Sequence, residues 1–463
     1  MTVVGKVTPP VSTVGDEAVM IPVEAFISRD YARAEGDRLW SKVWQIAARE
    51  EEIPNVGDFV TYDVANLSIT VIRKAEGPDG IAAYHNVCPH RGRRLTEGCG
   101  KAKKFYCRYH GWQWNLDGSN DKVIDREEWG GALKDEYLAL RPVRWDRWGG
   151  FIFVNPDPDP AAASLAEYLE TVPGWLDPFE FDKMRYKWRQ WLIFPCNWKV
   201  ALEAFMEGYH VGTSHPQFLR WSDCHSWSRA DGKHSCFGNS TRITMARSEE
   251  SPGYDAKPGR DPRVEVAVFM DLMNTTVGLG TLTTQTLVDA SRKLVDVLPD
   301  TANGAEATQK MMDMAREMDA RRGVEWPAVD PAHYAASGTD WHIFPNTVFL
   351  HGLTYVLGYR ARPNGDDPDS CIFEAYALER YPEGEEPRTE NVYQPDMTQQ
   401  GWALVLAQDF QNMPEVQKGM KQNALRGLVP NPLQEKPVIN FHRNLAEYMG
   451  TGAPVPFRGD DGS

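Results

Sequence analysis

Two histidines and two glutamates stand close together in the segment Glu203–His215, which reads E-A-F-M-E-G-Y-H-V-G-T-S-H. Glu203, Glu207 and His210 are spaced i, i+4 and i+7, so a continuous α-helix would carry all three on one face. Two imidazoles and a carboxylate that leave coordination positions open are typical of a non-haem Fe(II) centre that activates oxygen. The alternative is a surface helix that carries these side chains by chance.

A second group of potential metal ligands combines cysteine with histidine. Cys88-x-His90 is followed by Cys107-x2-His110, and each half continues into a glycine. Two thiolates and two imidazoles can hold a Rieske [2Fe–2S] cluster, in which two Cys bind one iron and two His bind the other. They can also hold a structural Cys2His2 zinc ion. Each half contributes one Cys and one His, whereas a zinc finger usually opens with two Cys and closes with two His, so the pattern favours the Rieske cluster.

The Cys–His pairs fall among predicted β-strands. Strand-like runs occupy residues 59–62 and 67–72, and the sequence E-G-P-D-G at 76–80 is typical of a turn. A last apolar run at 150–155 is followed by P-D-P-D-P at 156–160, where we place a domain boundary. The pairs are therefore expected on loops of a β-domain.

The second half of the chain mixes strands and helices. Strand-like runs lie at 341–350, 354–362 and 370–381. Helices are predicted over 203–210, 283–297, 305–322 and 396–421. Residues from about 240 to 340 are expected to form a helical insertion that covers a cavity.

Composition limits the class of protein. A chain of 463 residues predicts two domains, and a net charge of −15 argues against a nucleic-acid partner. We find neither a signal-peptide pattern at the N-terminus nor an apolar run of membrane-spanning length. Seven scattered cysteines do not form a disulfide framework. We therefore expect a cytoplasmic protein with reduced thiols and no membrane partner.

Taken together, the motifs resemble the α subunit of a Rieske non-haem iron oxygenase, the aromatic ring-hydroxylating family. The resemblance is carried by C-P-H-R-G at 88–92, C-x-x-H-G-W at 107–112, N-W-K at 197–199, and E-G-Y-H at 207–210 with His215. It covers most of residues 40–220 and the C-terminal helix, and it is loose over 220–340.

The resemblance implies an α+β protein with two domains. An all-β Rieske [2Fe–2S] domain is expected at 43–155. A helix-grip (START-like) α+β catalytic domain with an antiparallel sheet is expected at 156–463, including the helical insertion at about 240–340. Residues 1–42 are expected to pack on the catalytic domain.

The resemblance also implies the ligands of two metal centres. The residues expected to hold the [2Fe–2S] cluster are Cys88, His90, Cys107 and His110. The residues expected to hold a mononuclear Fe(II) are His210, His215 and Asp409, the last from the C-terminal helix. Asn197 is a candidate catalytic residue.

Glu207 departs from the family's usual pattern. The family most often has Asp at this position, where the carboxylate bridges a Rieske histidine to an iron-binding histidine across a subunit boundary and gives electrons a hydrogen-bonded route. Glu is longer by one methylene and can serve the same purpose. Some branches with Glu act on substrates that are not rings, so Glu207 weakens the inference to ring dihydroxylation.

The activity implied is that of an oxygenase component which uses O2 and electrons from NAD(P)H. The electrons would arrive through a ferredoxin, a flavin reductase or both. Transfer between neighbouring chains implies a ring, most often a homotrimer, and the presence of β subunits stays open.

The substrate is expected to be hydrophobic and aromatic, which would place the enzyme in aromatic hydrocarbon catabolism. No Arg stands out as a carboxylate clamp, and apolar pocket candidates are numerous. They are Phe205, Met206, Phe218, Leu219, Phe344, Phe349 and Leu350. A close alternative is a Rieske monooxygenase that removes O- or N-methyl groups or hydroxylates an aliphatic or steroid carbon. An electron-transfer Rieske protein and a zinc-stabilised binding protein are alternatives of other classes.

Overall fold

The computed structural model describes residues 11–239 and 260–458. These residues form two compact units. The small unit comprises Asp30–Tyr168, and the large unit comprises the described parts of Met1–Arg29 and Leu169–Ser463. The start of the predicted insertion, residues 240–259, lies outside the described residues.

The N-terminal segment is divided between the two units. Strand β1 (Val19–Met20) and helix α1 (Glu24–Ile27) belong to the large unit, where β1 pairs with Val455–Pro456. The chain passes into the small unit at Asp30. Of the described residues in the segment 1–42, those before Asp30 are grouped with the large unit and the others with the small unit.

The small unit is built mainly of short antiparallel strands. Its helices are α2 (Arg29–Glu35) and α3 (Asp135–Leu138), with a π-helix at Gly36–Trp40 and 3-10 turns at Glu50–Glu52 and Arg126–Trp129. Its strands are β2 (Gln45–Arg49), β3 (Asp58–Val64), β4 (Leu67–Arg73), β5 (Ile81–His85), β6 (Cys99–Lys101), β7 (Phe105–Tyr106), β8 (Gln113–Trp114), β9 (Asn120–Lys122), β10 (Arg144–Trp148) and β11 (Phe151–Asn155). They pair in the orders β5-β4-β3-β6, β7-β8-β9 and β10-β11-β2. The predicted β-domain is confirmed.

Hydrogen bonds join the stretch after residue 155 to the strands of the small unit. The Arg144 guanidinium donates to the carbonyls of Ala162 and Ala163, both at 2.9 Å, and Trp44 Nε1 donates to the Ala163 carbonyl at 3.0 Å. Lys42 also pairs with Asp157 at 3.0 Å. These bonds hold the proline-rich stretch against the strands, so the division between the units falls after Tyr168.

The large unit combines long strands with helices. Its further strands are β12 (Arg185–Phe194), β13 (Ser226–Asp231), β14 (His234–Asn239), β15 (Asp340–Ile343), β16 (Thr347–His351), β17 (Tyr355–Pro363), β18 (Cys371–Glu379), β19 (Asn391–Tyr393) and β20 (Val455–Pro456). Helix α4 (Leu165–Leu169) belongs to the small unit except for its last residue. The further helices of the large unit are α5 (Val172–Leu176), α6 (Trp198–Glu203), α7 (Val211–Ser214), α8 (Pro262–Thr276), α9 (Gln285–Arg292), α10 (Leu294–Val297), α11 (Gly304–Arg321), α12 (Pro331–Ser337), α13 (Gln399–Gly419) and α14 (Lys436–Met449). Turns of 3-10 helix lie at Asp177–Phe179, Phe181–Lys183 and Pro216–Arg220. None of the described helices is both long and apolar enough to cross a membrane.

One large sheet organises the large unit. Within the described residues its strand order is β13-β14-β15-β16-β17-β18-β12-β19, antiparallel except for the β12–β19 pair. Helix α6 packs on β17 and β18, α14 packs on β13 and β14, and α13 contacts α6. This arrangement confirms the predicted α+β fold with an antiparallel sheet.

Helices α8 to α12 form most of the described part of the predicted insertion. They lie in the chain between β14 and β15, which are hydrogen-bonded neighbours in the sheet. Their apolar faces bury Val266, Val288, Leu294 and Met311 in a core that also includes Trp221. Helices α9, α10 and α11 correspond to the predicted helical runs at 283–297 and 305–322.

Glu374 on β18 offers a test of sheet stability. It is buried and accepts hydrogen bonds from Arg360 Nε at 2.7 Å and from Arg362 Nη1. Burial opposes ionisation, but these two guanidinium groups lower the pKa of Glu374 to about 2. We expect Glu374→Gln to destabilise the protein by about 3 kcal/mol at pH 7, since removing one partner leaves buried charge uncompensated.

The pH dependence follows from the direction of that pKa shift. A lowered carboxyl pKa contributes stability above the unfolded value of about 4.5. That contribution is lost as the pH falls towards 2. The difference in melting temperature between wild type and Glu374→Gln should therefore be full at pH 7 and shrink below pH 4.5. Glu383 is exposed, so the control variant Glu383→Gln should keep nearly the melting temperature of the wild type at each pH. Equal shifts in melting temperature for Glu374→Gln and Glu383→Gln would contradict the account.

Candidate metal centres

Two loops of matching geometry carry the Cys–His pairs of the small unit. In each loop the cysteine carbonyl accepts a hydrogen bond from the N–H of a glycine, at 3.0 Å for Gly92 to Cys88 and 2.9 Å for Gly111 to Cys107. The two glycines have φ values of 75° and 72°, where a Cβ atom is strained. The glycines that follow each motif in the sequence thus close the two loops.

The loops bring the four predicted ligand side chains together. The thiols of Cys88 and Cys107 are buried neighbours, and burial, with Cys107 alongside, raises the pKa of Cys88. The rings of His90 and His110 lie 4.5 Å apart. Nδ1 of each histidine is buried and has no hydrogen-bond partner among the described residues. Buried polar atoms are nearly always satisfied, so these nitrogens fit metal ligands.

The arrangement of these four side chains bears on the kind of metal site. The two thiols are neighbours of each other, and so are the two imidazoles. This arrangement fits a two-iron cluster with a cysteine pair at one end and a histidine pair at the other. Trp112 stacks on His90 at 4.7 Å and fixes the plane of its ring.

In the large unit, the prediction of a continuous helix through residues 203–210 is wrong. Helix α6 ends at Glu203, and the chain turns through Glu207–His210 before α7 begins. The Glu207 carboxylate accepts from the backbone N–H groups of Tyr209 and His210, which holds the turn. Glu203 points elsewhere and bonds His442 Nε2 at 2.7 Å. The two glutamates therefore do not share one helical face.

The turn nevertheless places both histidines close to Asp409. His215 Nε2 lies 3.0 Å from Asp409 Oδ1, and His210 Nε2 lies 3.6 Å from the same oxygen. Asp409 is buried on α13, far away in the chain. The three donor atoms lie within 4.8 Å of one another, and two imidazoles with one carboxylate suit a non-haem iron.

Each histidine is held through its other ring nitrogen. His210 Nδ1 bonds Glu207 Oε1 at 2.6 Å, and His215 Nδ1 bonds Gln408 Oε1 at 2.8 Å. An oxygen acceptor at Nδ1 keeps the proton there and leaves the Nε2 lone pair directed at the metal. Gln217 Nε2 donates to the same Gln408 oxygen at 3.0 Å and fixes the amide.

The electrostatics of the centre favour a cation. Burial disfavours the charged form of His210, but Glu207, with Asp409 and Glu435 nearby, raises the pKa of His210 to about 9. Burial, together with the charges of Glu207 and Glu203, raises the pKa of Glu435 to about 7. The carboxylates that raise the pKa of His210 supply negative charge that a divalent cation would neutralise. The residues therefore fit an iron ion.

Asn197 has a structural position, which corrects the predicted catalytic role. Its Oδ1 accepts from Lys199 N at 3.1 Å, so it caps α6. Its Nδ2 donates to the carbonyls of Phe26 and Pro368 at 2.9 and 3.1 Å. The backbone N–H of Asn197 donates to Gln417 on α13 at 3.1 Å. The side-chain amide is used in holding α6, and α6 is thereby tied to the helix that carries Asp409.

The apolar residues predicted to line the pocket divide into two sets. Phe205 stacks on Tyr359 at 3.9 Å, and Phe218 lies 6.1 Å from His215, so both are near the centre. Phe344 instead packs on Phe441, at 6.0 Å. Phe349 packs on Phe181 at 5.8 Å, and β-strand alternation places it on the sheet face opposite Tyr359. Phe344 and Phe349 are core residues.

Sequence reasoning missed Gln408 and Glu435. Gln408 directly precedes Asp409, and its contact with His215 depends on the packing of α13 against the Glu207–His215 turn. Glu435 precedes α14 and approaches Glu207 only in the fold. The one local signal was the position of Gln408 beside a predicted ligand.

Two family models match this sequence. Residues 43–128 match the Rieske [2Fe-2S] domain. Residues 178–274 and 289–451, together more than half of the chain, match the ring hydroxylating alpha subunit (catalytic domain).

Two curated relatives have similar sequences. The glycine betaine monooxygenase oxygenase subunit of Pseudomonas aeruginosa (strain UCBPP-PA14) is 30% identical over 213 residues, 45% of this chain and 48% of the relative. The carnitine monooxygenase oxygenase subunit of Escherichia coli (strain K12) is 32% identical over 210 residues, 44% of this chain and 54% of the relative. The chain spans about half the length of the curated relatives it matches.

Two solved structures share the fold. The quaternary ammonium Rieske monooxygenase CntA in complex with L-carnitine superposes with a TM-score of 0.61 at 19% identity, covering 94% of this chain and 96% of that one. A mutant of naphthalene 1,2-dioxygenase bound to phenanthrene superposes with a TM-score of 0.62 at 17% identity, covering 97% of this chain and 96% of that one. At these identities the likeness is one of fold and does not discriminate between substrates.

Removing the Asp409 carboxylate should empty the mononuclear iron site and leave the [2Fe–2S] cluster intact. We expect Asp409→Ala to lose about one iron per chain while keeping about two irons, two labile sulfides and the Rieske EPR signal of the dithionite-reduced protein. The reason is that the cluster ligands lie in the other unit. Iron and sulfide analysis with EPR measures this. The control Glu415→Ala, exposed on the same helix, should keep all three irons, and loss of the cluster signal in Asp409→Ala would contradict the assignment.

Gln408 should tune iron affinity without being a ligand. We expect Gln408→Leu to weaken Fe(II) binding about 10- to 100-fold, because His215 loses the acceptor that fixes its tautomer. Gln408→Glu should retain binding, since a carboxylate also accepts from Nδ1. Competition with a colorimetric chelator measures the affinity. Gln411→Leu, an exposed change on the same helix, is the control, and equal affinities for all variants would refute the role.

Proposed function

Because this chain belongs to the ring-hydroxylating α-subunit family of Rieske non-haem iron oxygenases, we propose that it is the oxygenase component of a monooxygenase that acts on a quaternary ammonium compound. The two matched domains bring a Rieske [2Fe–2S] cluster and a mononuclear iron. The substrate class is what we propose beyond the family and its two metal centres.

The proposed ligands are those whose donor atoms meet in each unit. The cluster would be held by Cys88, His90, Cys107 and His110. The iron would be held by His210, His215 and Asp409. When bound, these groups supply single electrons and activate O2, respectively.

The protein's own groups prepare the iron site. Glu207 and Gln408 hold the Nδ1 protons of His210 and His215 and so keep both Nε2 atoms available. Glu207 is also proposed as the bridging carboxylate of the electron route between neighbouring chains. Its Oε1 bonds His210, which is the iron-side half of such a bridge. The contact on the cluster side remains a proposal.

The observation that carries the substrate class is the likeness to curated relatives named for glycine betaine and carnitine, both of which contain a quaternary ammonium group. Burial lowers the pKa of His210, and the negative charges of Glu207, Asp409 and Glu435 outweigh it. The bound iron ion would neutralise part of that negative charge. The predicted aromatic hydrocarbon substrate finds no support among these relatives, and the monooxygenase alternative is favoured.

The proposed reaction inserts one oxygen atom into a C–H bond next to the ammonium nitrogen. The second oxygen atom leaves as water, with two electrons and two protons supplied from outside. If the carbon is an N-methyl group, the hydroxymethyl product releases formaldehyde, a proton and a tertiary amine. We propose that the electrons come from NAD(P)H through a flavin reductase or ferredoxin. A homotrimer is the proposed assembly.

A single-turnover assay tests this function without a redox partner. Iron-loaded protein is reduced chemically, mixed with O2 and one compound, and the products are identified by mass spectrometry. The ammonium panel is glycine betaine, carnitine and choline, and the aromatic panel is naphthalene and toluene. We expect close to one oxidised product or one formaldehyde per active site from at least one ammonium compound. His210→Ala should give none.

Two outcomes would overturn the proposal. One is a cis-diol from an aromatic compound with no product from the ammonium panel. The other is a product from His210→Ala equal to that of the wild type. The first would restore the ring-hydroxylation hypothesis on the same scaffold.

A further inference from the structure

A second buried carboxylate stands near the proposed iron site and has no assigned role. Asp340 is the first residue of β15 and is 4% exposed. Its Oδ2 accepts from Thr339 Oγ1 at 2.7 Å. Its Oδ1 is buried and has no hydrogen-bond donor among the described residues. An unsatisfied carboxylate oxygen is costly in a protein interior, so the structure calls for an explanation of this one.

The register of the sheet shows which residues share its face. Asp340 pairs with Leu350, which pairs with Leu357 on β17. Tyr355 and Tyr359 lie two residues to either side of Leu357, so alternation puts both tyrosines on the face that carries Asp340. On the other side, Asp340 pairs with Phe237 of β14.

This face of the sheet is the one that meets the iron-ligand turn. A Cβ atom on Gly208, between Glu207 and His210, would lie 3.2 Å from the Phe237 ring. Tyr359 stacks on Phe205 of the same segment. Burial raises the pKa of Asp340 well above its ordinary value, and the hydrogen bond from Thr339 and the charge of His210 oppose that rise. A cation bound beside Asp340 would favour its ionised form. The free carboxylate oxygen therefore belongs to the surroundings of the proposed metal centre.

Two tyrosines share this face of the sheet with Asp340. Burial, with the charges of Asp409 and Asp340, raises the pKa of the Tyr359 hydroxyl, so that group lies within range of both carboxylates. Burial, with the charges of Tyr334 and Asp340, raises the pKa of the Tyr355 hydroxyl, and this side chain remains partly accessible although it packs against the helical insertion core. A carboxylate and aromatic rings on one face of a sheet suit a cation that carries no hydrogen-bond donors.

We propose that Asp340 is the counter-ion for the quaternary ammonium group of the substrate, with the rings of Tyr355 and Tyr359 as the aromatic part of that site. This inference rests on the proposed function and names the residue that selects charge. A primary ammonium or a guanidinium would need several acceptors, whereas a quaternary ammonium needs only negative charge and apolar surface. The unpaired carboxylate oxygen of Asp340 and the tyrosine rings on its face of the sheet match the needs of a quaternary ammonium.

The test compares a cation with its neutral isostere. Binding of choline and of 3,3-dimethylbutan-1-ol, in which carbon replaces the ammonium nitrogen, is measured by calorimetry on the iron-loaded protein without reductant. The wild type should bind choline at least about 10-fold more tightly. Asp340→Asn should weaken choline binding about 30-fold and leave the isostere within about 3-fold, because a buried charge pair is removed.

Two further variants keep the test independent of folding defects in Asp340→Asn. Thr339→Val removes the hydrogen bond that Thr339 Oγ1 donates to the Asp340 carboxylate and that favours its ionised form, so choline binding should weaken, though less than in Asp340→Asn, and the isostere should stay within about 3-fold of wild type. Tyr355→Leu keeps the carboxylate and removes a ring, so choline should weaken about 10-fold and the isostere less. Iron content and melting temperature confirm that each variant is loaded and folded.

The outcomes separate this inference from the proposed function. If choline binds Asp340→Asn as tightly as it binds the wild type, the inference is overturned. If Asp340→Asn does not fold, equal binding of choline to Tyr355→Leu and to the wild type overturns it. Asp340 is then a protonated structural carboxyl, and turnover of an ammonium compound still supports the proposed function. If choline, glycine betaine and carnitine all fail both to bind the wild type and to give product, the proposed function fails and the inference fails with it.

Discussion

The large unit is organised around negative charge held away from water. Glu207, Asp340 and Asp409 are all less than 10% exposed, and Glu435 lies close enough to Glu207 and His210 to interact with both. Ionised carboxylates in a protein interior are stable only when cations or donors neutralise them. Two imidazoles and the backbone N–H groups of the 207–210 turn supply part of that compensation. A divalent iron and a cationic substrate would supply the rest.

The fold meets this constraint by fixing two distant segments against one sheet. Helix α6 is capped by Asn197 and lies on β17 and β18, and the chain after it turns sharply to present His210 and His215. Gln417 bonds the backbone of Asn197 from α13, which sets the helix that carries Asp409 in register with that turn. Residues that never contact iron or substrate thus determine the distances between the atoms that would.

The cluster loops and both iron histidines were predictable from sequence because their ligands lie close together in the chain. Cys88 to His110 and Glu207 to His215 each fall within a short loop, so local spacing reports the chemistry. Asp409 came only from the family resemblance, since no spacing rule links residues two hundred apart. The helix through 203–210 was predicted wrongly because periodicity ignores the bonds from Glu207 to its own backbone. Gln408, Glu435 and Asp340 could not be predicted, because their partners are brought near only by the packing of α13, α14 and the sheet.

The most direct measurement of this account is a crystal structure of the iron-loaded protein grown anaerobically with glycine betaine. The account predicts iron on His210, His215 and Asp409, and a trimethylammonium group in contact with Asp340 and the ring of Tyr359. Iron at that position with the ammonium group bound elsewhere would contradict the role of Asp340. A structure in which His210, His215 and Asp409 bind no metal would contradict the central claim that the buried carboxylates of this unit exist to hold cations.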